Sequence, residues 1–393
     1  MMLELRRERM EHLCELVTDG THDSPKLQKE GIPFIKGKNI SGGTVDFTTC
    51  DFITPEDHKD ACRRVRPQRG DILFSNIGSV GDTAVVKDDR EFSIKNVALF
   101  RPDSLKVDQR YFYYLVLSPE FRSKVMNVRS GSAQPFISLA NLRAFEVSYH
   151  EDTVLQRRIA CILSAYDDLI ENNQRRIRIL EDMARSLYRE WFVHFRYPGH
   201  ESMPLINSPL GQIPQGWEVK KLVDILELNY GKALKKEDRR DGETPVYGSS
   251  GIVGTHDVSL VTGPGIIVGR KGNVGSVFWS DEDFFVIDTA YFVTSQLPLR
   301  YLFYVLPTLN FINSDAAVPG LSRNQAYTLD ILIPPVALLA NFCELADTFE
   351  RQASTLHRQT ANLRRTRDLL LPRLLSGTVR LEAIKTEICE AAP

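Results

Sequence analysis

The sequence predicts an α+β fold built twice over: two β-rich domains in tandem, each followed by a long helix, with the two helices pairing as a coiled coil. Three observations predict it. The chain repeats itself, each copy ends in an apolar seam of 3-4 spacing, and a stretch dense in Pro and Gly lies between the copies. A length of 393 residues fits two cores better than one, and 42% apolar with 25% charged residues is enough to fold both.

Ile72-Leu73-Phe74-Ser75-Asn76-Ile77-Gly78-Ser79-Val80-Gly81 aligns with Ile266-Ile267-Val268-Gly269-Arg270-Lys271-Gly272-Asn273-Val274-Gly275 at an offset of 194, each an apolar run followed by Gly-x-Val-Gly. Asn96 to Phe100 then matches Asp288 to Phe292, and Arg110 to Leu115 matches Arg300 to Val305. Gln134-Pro135-Phe136-Ile137-Ser138 matches Val318-Pro319-Gly320-Leu321-Ser322 at an offset of 184. Falling offsets with the order kept mean one plan with different loop lengths.

Each copy runs into a seam. In the second, Leu339, Phe342, Ala346, Phe349, Ala353, Leu356, Thr360, Leu363, Arg367, Leu370 and Leu374 keep 3-4 spacing. Subtracting 183 gives Gln156, Ile159, Leu163, Tyr166, Ile170, Asn173, Ile177, Leu180, Ala184, Leu187 and Trp191. An average repeat of about 3.5 residues held over about five heptads is a coiled-coil pattern. About 36 residues at about 1.5 Å each is longer than a small domain is wide, so such helices bury their stripes best on each other. Asn173 falls inside the first seam, where an amide fixes register at some cost in stability. Pro372 followed by Gly377 predicts the end of the second helix.

The segments before the helices read as short strands, at Ile32 to Ile35, Ile72 to Phe74, Thr83 to Val86, Ile266 to Val268, Ser276 to Trp279 and Phe285 to Ile287. Arg110 to Val125 and Arg300 to Leu306 read as helices whose aromatic residues pack in the core. The predicted division is 1–150 for the first domain, 151–195 for its helix, 196–215 for a linker, 216–335 for the second domain, 336–377 for its helix and 378–393 for a tail.

No catalytic or metal constellation emerges. The cysteines Cys14, Cys50, Cys62, Cys161, Cys343 and Cys389 are scattered without a Cys-x-x-Cys pair and read as reduced thiols. Gly269 to Gly275 lacks the spacing and closing Lys-Ser/Thr of a phosphate loop, and its tight turns explain its glycines. Ile333-Pro334-Pro335-Val336 lacks both the polar first and the aromatic last residue of an adenine-methyltransferase site and reads as a break before the helix. Arg and Glu among Met1 to Arg9, and no apolar run of 18, predict a cytoplasmic chain without a membrane span.

Three segments resemble the specificity subunits of type I restriction-modification systems. They are Asp19-Gly20-Thr21-His22-Asp23-Ser24-Pro25 with Gly31-Ile32-Pro33-Phe34, then Trp191-Phe192-Val193-His194-Phe195 with Gly211-Gln212-Ile213-Pro214-Gln215-Gly216-Trp217-Glu218, and Leu369-Leu370-Leu371-Pro372-Arg373-Leu374-Leu375-Ser376-Gly377. Their ordered combination spans nearly the whole chain. The resemblance implies two target-recognition domains held apart by antiparallel helices, each domain reading one half of a split double-stranded DNA site. It also implies a non-catalytic chain that binds no cofactor itself. Two modification subunits that bind S-adenosylmethionine and methylate adenine, and restriction subunits that use ATP, are the implied partners. A non-DNA-binding assembly scaffold is the alternative, consistent with a net charge of -2, which leaves DNA affinity to local patches or to partners.

Side chains that read base edges or hold phosphates are Arg, Lys, Asn, Gln and Ser on loops. In the first half these are Lys36, Lys38, Asn39, Asn76, Ser79, Arg129, Ser130, Ser132 and Gln134. In the second they are Arg270, Lys271, Asn273, Ser322, Arg323 and Asn324, with the basic run Lys232, Lys235, Lys236, Arg239 and Arg240 as a backbone track. His22 reads as a turn-stabilising residue.

The seam yields a prediction. One matched heptad inserted into each helix adds about 10 Å, or about three base pairs at roughly 3.4 Å each. Methylation mapping on the reconstituted complex is expected to show a longer gap between unchanged half-sites; changed half-sites with the old gap defeat the ruler idea.

Overall fold

A computed structural model describes residues 5–128, 135–311 and 320–379. The chain forms two compact units that do not follow chain order: residues 1–172 with 359–393, and residues 173–358. Both long helices are present, Thr153–Tyr188 and Val336–Leu375, and each contributes residues to both units.

Local chemistry sets their ends. The Asp152 carboxylate accepts the Val154 N–H at 2.8 Å, satisfying a donor the first turn leaves free. The first helix widens into a π turn at Arg189–Val193, which turns Trp191 and Phe192 into the second unit's core. Pro334 and Pro335 precede the second helix, and Pro372 lies three residues before its end. Gly377 then takes a left-handed φ of 70° and donates to the Leu374 carbonyl at 3.2 Å, closing the helix as the Pro-then-Gly order predicts.

In the first unit four antiparallel strands lie in the order Cys14–Asp19, Ala98–Pro102, Ile72–Phe74, Thr83–Val85. Beside them Asp51–Ile53, Ile32–Ile35 and Ser93–Ile94 form a second sheet whose last pair is parallel, and Leu5–Arg9 pairs with Glu146–His150. The second unit repeats all three: Leu226–Tyr230, Ala290–Ser295, Gly265–Gly269, Val277–Ser280; then Gly251–His256, Thr244–Gly248, Phe285–Val286, again with a parallel last pair; then Glu218–Lys221 with Asp330–Ile333. Register agrees as well as order. Ile72 faces Val85 and Ile266 faces Trp279, so one offset of 194 carries both partners of the pair.

That register corrects one step of the sequence alignment. Ala98 pairs with Phe74, and the residue paired with Val268, the counterpart of Phe74, is Tyr291 rather than Ala290. A slip of one residue exchanges the faces of a strand. With the corrected match, Ala98 and Phe100 face the long helices in the first unit as Tyr291 and Val293 do in the second, while Leu99 and Phe292 face the smaller core of their own unit. The central strands are thus covered on both faces, which is why Ile72–Phe74 and Gly265–Gly269 are buried throughout and show no polar alternation.

Within the first unit, Leu155, Ile159, Ala160 and Leu163 share one core with Leu371, Leu374 and Leu375. His150 Nε2 lies 3.3 Å from the Leu374 carbonyl, and Asp167 binds Arg367, so the two helical segments run antiparallel. Within the second, Ile177 packs with Ala353 and Leu356, His357 lies 3.9 Å from Glu181, and Tyr188 meets Phe342, again antiparallel. Of the seam, Ile159, Leu163, Ile170, Asn173, Ile177, Phe342 and Leu356 are buried, while Tyr166, Leu180, Leu187, Phe349, Leu363 and Leu370 are half-buried. Gln156, where the second copy has Leu339, is fully buried and pays its way with hydrogen bonds to the Asp108 N–H at 2.7 Å and the His150 carbonyl at 2.7 Å.

A second correspondence ties each domain to its helix. Tyr114 donates to Asp167 Oδ2 at 2.6 Å, and Tyr304 donates to Glu350, its counterpart. Burial raises the pKa of both phenols, keeping them as donors.

Two expectations are corrected. The helix expected over Arg110 to Val125 is two, Gln109–Leu117 and Pro119–Val128, because Ser118 is extended ahead of Pro119 and its hydroxyl caps the Phe121 N–H at 3.1 Å. The stretch expected as a linker is packed: Leu205–Ser208 and Gly211–Pro214 form a hairpin, and Tyr197 and Ile213 are buried with Trp217. Phe342 is fully buried and its ring lies within 6.5 Å of Tyr188, Trp191, Phe192, Tyr301 and Tyr304. Phe342→Ala is expected to cost about 3–5 kcal/mol in denaturant unfolding, whereas Leu105→Ala, at an 89% exposed position, stays within about 0.5 kcal/mol.

Candidate nucleic-acid interface

In the second unit the candidate loops converge at one end of the four-stranded sheet. The Arg270 and Lys271 N–H groups both donate to the Thr289 carbonyl, at 2.9 and 3.1 Å, and the Leu321 N–H donates to the Arg270 carbonyl at 2.7 Å. The turn between is closed by Gly275 N–H on the Gly269 carbonyl at 2.9 Å, with Gly272 and Gly275 at φ of 80° and 75°. A Cβ at Gly269 would stand 2.1 Å from the Asn273 carbonyl oxygen, so the turn admits no side chain there.

At this edge stands Tyr230, the last residue of its strand and 49% exposed. The Arg270 guanidinium lies 4.9 Å from its ring centroid and the Arg323 guanidinium 5.1 Å, with the Tyr291 ring 5.1 Å away. Such contacts hold a guanidinium plane in place by cation–π attraction. Arg270 Nη1 donates to the Asp288 carbonyl at 2.9 Å; Arg323 Nη1 reaches the Leu228 carbonyl only at 3.5 Å, and its Nε is buried without an acceptor among the described residues. Burial, reinforced by Tyr230, raises the Tyr291 phenol pKa, and its hydroxyl donates to the Leu321 carbonyl at 3.1 Å.

Around this cluster Lys271, Asn273, Asn324 and Lys232 are exposed, and Ser322 is half-buried at the start of the helix Arg323–Tyr327. Asn273 Nδ2 donates to Ser250 Oγ at 3.3 Å. The basic run divides. Lys235 and Lys236 face solvent, whereas Arg239 donates to the Val253 carbonyl at 2.6 Å and Arg240 pairs with Asp257 at 3.1 Å, both tying down the Gly251–His256 hairpin.

The first unit has the same backbone and different chemistry. Ile137 N–H donates to the Asn76 carbonyl at 2.9 Å, Gly81 N–H to Ser75 at 3.0 Å and Gly20 N–H to Val97 at 2.9 Å, matching Leu321 to Arg270, Gly275 to Gly269 and Gly231 to Ala290. These bonds place Asp19 where the second unit has Tyr230, Asn76 where it has Arg270 and Leu139 where it has Arg323. Asp19 is buried, bound by Arg64 and 3.3 Å from His22 Nε2. His22 Nδ1 is 2.8 Å from Asn96 Oδ1, holding a turn in which Asn96 has φ 52°, as expected of a turn-stabilising histidine. Asn76 is buried and donates to the Ile137 carbonyl at 3.4 Å, while its Oδ1 has no donor among the described residues.

Of the other first-unit candidates, Lys36, Lys38 and Asn39 follow the Ile32–Ile35 strand of the smaller sheet, and Ser79 lies in the turn between Ile72–Phe74 and Thr83–Val85. Lys36 and Lys38 flank Asp51 at 2.8 and 3.4 Å, and Lys36 above all holds that carboxyl below the usual range. Asn39 is fully buried, accepting the Lys36 N–H at 3.1 Å and donating to Thr49 at 3.4 Å, so it builds the turn on which the two lysines stand. Ser79 is exposed, 3.3 Å from Ser75 Oγ. Arg129, Ser130, Ser132 and Gln134 lie outside the described residues, as does Cys389.

Sequence reasoning gathered Arg270, Lys271, Asn273, Ser322 and Arg323 and missed Tyr230. The apolar alternation of Leu226 and Leu228 before Tyr230 and Gly231 was the available sign of a strand ending in an aromatic residue. Among the described residues no group of three or more His, Cys, Asp or Glu is arranged to hold a metal, and no helix is long and apolar enough to cross a membrane.

Comparison with known proteins gives this arrangement its context. A specificity subunit of the type I restriction enzyme MjaIX from Methanocaldococcus jannaschii is 24% identical over 94% of this chain and 92% of its own length. The specificity subunit of MjaVIII from the same organism is 32% identical over 20% of this chain and 18% of its own. The fold matches the crystal structure of a type I restriction-modification S subunit from M. genitalium with a TM-score of 0.62 at 17% identity, over 95% of this chain and 96% of that one. Residues 9–182 and 214–336 match the type I restriction modification DNA specificity domain, so the chain belongs to the family of type I restriction-modification specificity subunits.

Proposed function

We propose that the chain reads an asymmetric, bipartite DNA site, one half-site per domain, and directs partner subunits to it. The observation that carries this reading is one backbone framework used twice with unlike side chains at matched places: Tyr230, Arg270 and Arg323 in one domain, Asp19, Asn76 and Leu139 in the other. Shared geometry supports presentation to the same kind of ligand, and unlike side chains support different sequences in its two halves. In this reading the chain carries no catalytic group and no cofactor. Two modification subunits supply S-adenosylmethionine-dependent adenine methylation, and restriction subunits supply ATP-driven cleavage.

With a net charge of -2, phosphate attraction by this chain is local, so partners add to affinity. The test is a gel-shift with the chain and its modification partner, alongside mapping of methylated adenines in the host genome. The expected result is one asymmetric split motif, whose duplex competes for binding at least about 1,000-fold better than random duplex. Equal competition by both duplexes defeats sequence reading and favours the scaffold alternative, and methyl transfer by the purified chain alone defeats the non-catalytic assignment.

A further inference from the structure

The cluster around Tyr230 carries a more specific inference, which rests on the DNA-reading function proposed above. We infer that Arg270, stacked on Tyr230, reads the O6/N7 edge of a guanine in the half-site of the second domain.

Charge is the first argument. Arg270 and Arg323 both lie within 5.1 Å of one ring centroid, and among the described residues their recorded partners are neutral groups, the Asp288 and Leu228 carbonyls and, beside Arg270, the Tyr291 hydroxyl, instead of carboxylates. Two guanidiniums gathered on one ring repel each other, and the buried Arg323 Nε finds no acceptor among these residues. Such an arrangement is relieved by a ligand that brings electronegative atoms.

Geometry selects which arginine does the reading. Arg323, at the start of its helix, is drawn toward the Leu226–Tyr230 strand, with one donor buried. Arg270 is half-buried at the start of a turn whose next side chains, Lys271 and Asn273, are exposed. Its plane is held by Tyr230, and the bonds to the Asp288 carbonyl and the Tyr291 hydroxyl engage two of five N–H donors, so donors remain for an outside acceptor pair. Among base edges in the major groove, guanine offers two adjacent acceptors, O6 and N7, which match the guanidinium fork. A phosphate also fits the fork but carries no sequence information, so a base preference that depends on Arg270 is what separates the two ligands.

The test uses the full chain with its modification partner, selecting binders from a randomised duplex library and measuring affinity for the selected site. Wild type is expected to require a guanine in one half-site, and replacing that base by 7-deazaguanine, which lacks the N7 acceptor, should weaken binding about 5- to 150-fold. Arg270→Ala and Arg270→Lys should both lose the preference at that base pair and become insensitive to 7-deazaguanine, while the other half-site stays unchanged and so reports intact folding. Tyr230→Leu should weaken the same preference. The inference is overturned if Arg270→Lys keeps the motif, if Arg270→Ala weakens all sequences evenly, as loss of a phosphate contact would, or if 7-deazaguanine has no effect on wild type. A wild-type selection that enriches nothing overturns the DNA-reading function itself.

Discussion

The apolar stripe along each long helix is the constraint on which the rest of this structure depends. A helix of 36 or 40 residues exposes far more apolar surface than one small sheet can cover, and leaving it in water costs about 25 cal/mol per Å². The chain solves this by giving each compact unit a segment of both helices, antiparallel to one another and packed on the face of a four-stranded sheet. Two chain-distant segments therefore complete every core. The first unit is not one continuous stretch of sequence: Leu371, Leu374 and Leu375 complete the core of a domain that begins more than 300 residues earlier.

Polar contacts fix what apolar burial leaves loose. Packing of Leu, Ile and Ala tolerates small rotations, whereas the bonds from Tyr114 to Asp167 and from Tyr304 to Glu350 are directional. Each sets one domain against one turn of a long helix. Arg300 adds a third such tie in the second unit, 2.7 Å from Asp347 and 3.7 Å over the Trp279 ring. The recurrence of the tyrosine bond at matched positions shows that the duplication extends to docking as well as to the sheet.

The same duplication separates framework from message. Backbone bonds such as Leu321 to Arg270 and Ile137 to Asn76 are common to both units and keep the loops in place. Side chains at those places differ, because the shared bonds use only backbone groups. In one unit they gather as an aromatic platform flanked by arginines; in the other they turn inward as the network of Asp19, Arg64 and His22. A framework of this kind lets recognition change without refolding.

The sequence by itself determined the duplicated plan, the extent and ends of the long helices and the strands at Ile32–Ile35 and Ile72–Phe74, since periodicity, Pro and Gly act locally. It also marked the loops on which Arg270 and Arg323 stand. Only tertiary structure decided that the match near Ala98 is shifted by one residue, because strand register is set by a partner far along the chain. It alone decided that Asn39 and Asn76 face inward, that Arg239 and Arg240 are spent on a hairpin, and that Tyr230 stands between two arginines. Residue type announces what a side chain is able to bind, but its direction and its nearest acceptor are fixed by segments that meet only when the core closes.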